Sequence, residues 1–214
     1  QSRYVEAGME SARDLAEAIR IMGAQPHVDP RRVLVVGQSA GGFAALALAA
    51  QPPQGLVGVI SFAGGRGYFP QRNAVCEPEK LVQALGQFGR TARVPSLWIF
   101  AENDHSFPPD LARAMAAAYR SGGGAAELSM LGPFGADGHL VFTQGIDLWR
   151  SPVDAFLKRL GVPVLPPPPL LRLPGNLTDR ARNAFLAYAA AAQPNKVFAL
   201  GDNGAFAWRA DILP

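Results

Sequence analysis

The chain has 214 residues, 49% hydrophobic and 17% charged, which fits one globular domain with a sizeable core and a small appendage. Its formal charge of +3 comes from 17 arginines and 3 lysines scattered along the sequence rather than clustered, and this argues against nucleic acid as a partner. No apolar stretch reaches the ~18 residues of a membrane span, and the first residues lack the zones of a signal peptide, so no membrane segment is expected, while the start at Gln1 leaves export and localisation open.

Leu15, Ala18, Ile19 and Met22 recur at helical spacing before Gly23, a natural stop, and predict a surface helix with one buried face. Val33 to Val36 is apolar at every position, the pattern of a strand covered on both faces in a parallel sheet. Comparable runs lie at Leu56 to Phe62, Pro95 to Ala101 and Ala126 to Leu131. Helical segments are expected between and after them at Gly41 to Ala50, Pro78 to Phe88, Pro109 to Arg120 and Leu148 to Leu160. Such alternation implies right-handed crossovers and a doubly wound, mainly parallel α/β sheet over residues 1–161.

Val162 to Pro174 holds six prolines, and residues 162–175 read as an extended linker. In residues 176–214, Thr178 is placed to cap a helix whose Phe185, Tyr188, Ala189 and Ala192 share a face. Lys196 to Leu200 and Ala205 to Arg209 flank Gly201-Asp202-Asn203-Gly204, a hairpin turn signal, with Phe198, Leu200, Phe206 and Trp208 on one side as a small core over that helix. The lone cysteine, Cys76, cannot form an internal disulfide; it reads as a buried, inert thiol, or as one paired with a segment outside this sequence.

The chemistry concentrates at Gly37-Gln38-Ser39-Ala40-Gly41, where a short β-branched run turns directly into an alanine-rich helix. A serine on so sharp a strand-to-helix turn has a strained backbone, an exposed hydroxyl and a following amide, that of Ala40, aimed at the substrate oxygen. Gly37 and Gly41 supply the lack of bulk that the turn demands. The plain alternative is a helix N-cap. A hydroxyl needs a base, and the base needs a group that fixes its tautomer. Of the three histidines, His27 precedes the elbow strand at the opposite end of the sheet, whereas His139 follows the last parallel strand and emerges at the serine's end. Asp104 follows the preceding strand at that same end. Glu102 and Asp137 are the alternatives to Asp104, and His105 the alternative to His139. The Gly64, Gly65 and Arg66 loop is placed to line a pocket, with Arg66 a candidate for a substrate carboxylate and Tyr68 and Phe107 candidate apolar walls. No metal-ligand spacing and no dinucleotide or phosphate loop is present, so neither metal nor cofactor is expected.

The segments around Ser39, Asp104 and His139 resemble those of the α/β-hydrolase superfamily. The strings Gly37-Gln38-Ser39-Ala40-Gly41-Gly42, Phe62-Ala63-Gly64-Gly65-Arg66-Gly67, Leu97-Trp98-Ile99-Phe100-Ala101-Glu102-Asn103-Asp104 and Asp137-Gly138-His139 are similar to bacterial dienelactone-hydrolase-like proteins. The likeness covers residues 1–160. It implies a serine hydrolase acting on small carboxylic esters through Ser39, His139 and Asp104, although true dienelactone hydrolases carry cysteine where this chain has Ser39. A peptidase or acyltransferase with the same triad, and a binding protein that kept the fold, are the other readings. The resemblance also implies further strands before the first helix, one of whose loops gives the second oxyanion amide. The expectation is therefore that an N-terminal segment or a separate chain completes the sheet, and that the elbow strand is otherwise an exposed edge.

Overall fold

The computed structural model describes residues 3–164, 175, 177–191 and 196–210. It divides into two compact units, Gln1–Val164 and Leu165–Pro214. In chain order the first unit runs α1 (Arg3–Gly23), β1 (Val33–Gln38), α2 (Ala40–Ala49), β2 (Leu56–Phe62), the short strands β3 (Tyr68–Phe69) and β4 (Ala74–Val75), α3 (Pro78–Thr91), β5 (Ser96–Ala101), α4 (Pro109–Ser121), β6 (Ala126–Leu131), α5 (Val141–Gln144) and α6 (Ile146–Arg159).

Four strands form one sheet in the order β1-β2-β5-β6, every pair parallel, as the alternation of strand and helix requires. The register sets Gln38 against Phe62, Phe62 against Ile99 and Ala101 against Leu131, so the loops that follow all four strands open at one end. Side chains alternate across the sheet. Val59, Ala63, Trp98 and Phe100 join a core with α1 to α4, whereas Ile60, Phe62, Leu97 and Ile99 meet Val153 and Phe156 of α6. Strand β5 is buried along its whole length, and each such large apolar side chain contributes roughly 2–3 kcal/mol. The buried indole of Trp98 donates to Ser96 Oγ at 2.8 Å, so the sheet's largest side chain enters the core with its polar atom satisfied.

Helix α2 buries every residue from Gly42 to Ala49, and α1 packs on it through Tyr4, Val5, Gly8 and Ala12. Gly8 has a steric reason: a Cβ there would lie 2.6 Å from the Phe88 ring and 3.0 Å from Phe43. The buried face of α1 is thus its first half. Leu15 and Ile19 are half-buried, but Ala18 and Met22 are exposed, contrary to the sequence expectation, because the helix runs past the edge of α2.

Three further expectations are corrected. Strand β1 is not covered on both faces: among the described residues it pairs only with β2, and Val36 is 46% exposed. Cys76 is exposed rather than buried. Strand β5 starts at Ser96 rather than Pro95, whose nitrogen carries no proton for the ladder. Among the described residues no helix is long and apolar enough to cross a membrane.

The second unit contains α7 (Asp179–Ala190) and an antiparallel pair, β7 (Lys196–Leu200) and β8 (Phe206–Ala210). Thr178 Oγ1 accepts the Ala181 amide at 3.3 Å as the N-cap. Ala181, Phe185 and Tyr188 form the buried face with Phe198, Leu200 and Phe206, and the Trp208 ring meets Tyr188 edge-on at 6.2 Å. Ala189 is exposed, one position off that stripe, and Ala192 lies outside the described residues, as does most of the proline-rich stretch. The hairpin turns through three residues, with Gly201 donating to the Ala205 carbonyl and Gly204 alone in the left-handed region at φ 80°.

Candidate active site

Ser39 has φ 54° and ψ −121°, a conformation disfavoured for any residue with a Cβ. Three main-chain bonds hold it there. The Ser39 amide donates to Phe62 O at 2.9 Å, and its carbonyl accepts from Phe43 at 3.0 Å and from Gly65 at 3.1 Å. The glycines that make the turn possible are only partly those expected. A Cβ on Gly37 would overlap the Gly41 carbonyl, but one on Gly41 would meet nothing within 4 Å. The tight position is Gly42, where a Cβ would lie 2.7 Å from Ser61 Oγ and 2.9 Å from Gly64 Cα. Ala40 is the first residue of α2, so its amide has no acceptor within the helix and carries the positive end of the helix dipole.

Asp104 is 2% exposed, and its carboxylate is held from two sides. Oδ1 accepts the amides of Ser106 at 2.8 Å and Phe107 at 2.9 Å, and His139 Nδ1 lies 3.2 Å from both carboxylate oxygens. This hydrogen bond with Asp104 raises the His139 pKa, partial burial opposes it, and the charges of Asp104 and Asp137 add to the rise. Glu102 is exposed. Asp137 does not reach the imidazole; its Oδ1 accepts the amides of His139 at 3.0 Å and His105 at 3.2 Å, which hold its pKa low against the opposing effect of partial burial. His105 and His27 are exposed. Among the described residues the Ser39 hydroxyl makes no hydrogen bond to His139.

Two side chains that the sequence reading passed over shape this corner. Asn103 bridges β5 to the histidine loop: its Oδ1 accepts from Phe134 N at 2.8 Å, its Nδ2 donates to the carbonyls of Phe134 and Gly135, and its own carbonyl accepts from Gly138 at 3.1 Å. Gly138 must lack a side chain, since a Cβ would sit 2.6 Å from that of Ala101. Gln38 Nε2 donates to the His139 carbonyl at 2.8 Å. The only signal for either was adjacency, Gln38 to Ser39 and Asn103 to Asp104.

The Gly64 to Phe69 loop begins beside the serine, through Gly65. Gly64 and Gly65 are buried, and the Phe107 ring lies where a Gly65 side chain would be. Phe107, 1% exposed, also faces the His139 ring at 5.8 Å between centroids. Tyr68 instead donates its hydroxyl to Asn73 Oδ1 at 2.8 Å. Arg66 lines a cavity of about 570 Å³ with Arg3, Tyr4, Phe69, Glu77 and Lys80. Lys80 is ion-paired with Glu77, whereas Arg3 and Arg66 form no ion pair among the described residues. The Tyr4 hydroxyl donates to the Cys76 carbonyl and fixes one wall.

The chain resembles an acylaminoacyl peptidase of Pyrococcus horikoshii (17% identity, TM-score 0.56, 77% of this chain and 30% of that one). It also resembles dipeptidyl peptidase 4 of Porphyromonas gingivalis (16%, 0.52, 72% and 23%) and an esterase of Pyrococcus furiosus (14%, 0.53, 68% and 60%). The chain has an α/β-hydrolase fold. It spans less than two thirds of each of these proteins. Within the α/β-hydrolase sheet, residues 2–64 match the profile of the prolyl oligopeptidase family, a stretch that takes in α1, β1, the elbow and β2. No curated protein matches the sequence. Among the described residues no three His, Cys, Asp or Glu side chains are grouped to hold a metal ion.

Proposed function

We propose that the protein is a serine hydrolase that cleaves small carboxylic esters through an acyl-enzyme. His139 takes the Ser39 proton as the hydroxyl attacks the carbonyl, Asp104 holds the tautomer and stabilises the imidazolium, and the Ala40 amide donates to the oxyanion. His139 then returns the proton to the leaving alcohol, and water releases the acyl group by the same route. The observation that carries this reading is the buried Asp104 carboxylate on His139 Nδ1, at the sheet end where Ser39 sits in its strained turn. The test is labelling by a fluorophosphonate together with hydrolysis of p-nitrophenyl esters. Wild type is expected to do both and Ser39→Ala neither; a folded, full-length protein that does neither refutes the reading and favours a binding protein that kept the fold.

A peptidase is the second reading, supported by the prolyl oligopeptidase match and by likeness to two peptidases. Comparing kcat/KM on esters with that on peptides decides between them, and transfer of the acyl group to an added alcohol would mark an acyltransferase. For the substrate, Gly64, Gly65 and Phe107 are proposed as the floor and Tyr68 as an outer wall. The two arginines without ion-pair partners among the described residues support an ester with a carboxylate at one end, with Arg66 as its partner. Arg66→Gln is expected to raise KM about fivefold for a p-nitrophenyl hemi-ester of glutaric acid, and not for the neutral butyrate. The exposed outer edge of β1 supports a further proposal, that another segment or chain adds a strand there and brings the second oxyanion donor.

A further inference from the structure

Most of the polar atoms of His139 are tied down by a different part of the fold. Its amide donates to Asp137, its Nδ1 meets Asp104, and its carbonyl accepts the side-chain amide of Gln38 at 2.8 Å. Gln38 is the last residue of β1 and precedes Ser39, so this bond joins the nucleophile's strand to the base's own residue across 101 positions of sequence. It is a second link between the two, independent of the reacting groups.

We infer that Gln38 is a positioning residue, whose amide sets the separation of the Ser39 hydroxyl and His139 Nε2. The inference rests on the serine-hydrolase reading. Asp104 fixes the tautomer and rotation of the ring, but the ring's distance from the elbow depends on where the short helical turn at Gly138–Leu140 lies. That turn follows a loop whose Gly132, Pro133, Gly135 and Ala136 are exposed, with Gly135 at φ 53°. Asn103 and Asp137 anchor the turn to the end of β5, and the Gln38 amide ties it to β1. Without that donor the turn is free to drift away from Ser39 while keeping its pair with Asp104. A displacement near 1 Å is enough to cost about 100-fold in rate.

Gln38→Met keeps the length of the side chain and removes the donor, and Gln38→Glu places a carboxylate against the carbonyl. In the full-length protein, both are expected to slow fluorophosphonate labelling of Ser39 and to lower kcat by about 10- to 100-fold, with KM changed less than twofold. The downfield proton signal of the His139–Asp104 bond and the His139 titration midpoint are expected to persist. A merely structural role would instead change the fold or that signal. An unchanged labelling rate in folded Gln38→Met overturns the inference, as does a slower rate accompanied by loss of the downfield proton. If wild type neither labels nor hydrolyses any ester, the hydrolase reading fails by itself, and the clamp is then judged by side-chain relaxation: greater mobility of the His139 ring in Gln38→Met supports it, and equal mobility refutes it.

Discussion

A single backbone angle sets the chemistry and the stability of Ser39 against each other. At φ 54° and ψ −121° a Cβ is strained and glycine is not, so Ser39→Gly is expected to abolish labelling while raising unfolding free energy by about 1 kcal/mol, read by urea denaturation. His139 gives a second prediction. In the proposed mechanism only its neutral form accepts the Ser39 proton, and the hydrogen bond with Asp104 raises its pKa, so kcat/KM is expected to fall with decreasing pH through a midpoint above the ordinary histidine value of about 6.5. Asp104→Asn is expected to move that limb downward and to cost roughly 10⁴-fold in kcat, checked by pH–rate profiles. Stability runs the other way: the pair's contribution is full below the unfolded pKa and is lost as pH rises through the raised folded value. Ser39 and Asp104 could be singled out because each stands just past the end of a predicted strand, and His139 because its loop follows the last one. Gln38 could not, since the aim of its amide depends on how a loop 101 residues away folds back.

At the level of elements, the apolar runs match β2 and β6 to the residue and α2, α3, α4 and α6 to within three residues; β2 is legible because a strand buried on both faces has no polar alternation, whereas β6 is an edge strand with Glu127 and Ser129 in it. The first half of α1 escaped because its buried stripe relies on Gly8 and Ala12, which carry almost no hydrophobic signal. Gly41 and Gly42 were confused for a related reason: adjacent glycines look alike in sequence, and only the seat of α2 on Ser61 and Gly64 separates them. The two sites give matching predictions. Gly8→Val forces α1 off Phe88 and Phe43 and is expected to cost about 1–3 kcal/mol in chemical denaturation. Gly42→Ala is expected to reduce labelling of Ser39 where Gly41→Ala leaves it unchanged, because only the former moves the helix that presents the serine.

For the molecule as a whole, the exposed edge of β1 dominates. Val36 and the rim of that strand, unpaired among the described residues, form a template for non-native pairing, so the 214-residue chain is expected to self-associate, and Val36→Lys to reduce this in sedimentation velocity. An extended protein that covers the edge and brings the second oxyanion amide is expected to exceed the 214-residue chain by about two to three orders of magnitude in kcat, the usual value of one such donor. The floor under Ser39 has a last consequence. Gly42, Gly64 and the Ser61 hydroxyl, which has no hydrogen-bond partner among the described residues, fill it so tightly that no larger group fits from below. Added bulk at Gly42 or Gly64 is therefore expected to disturb the turn at Ser39, whereas the loops after β2, β5 and β6 have room to vary.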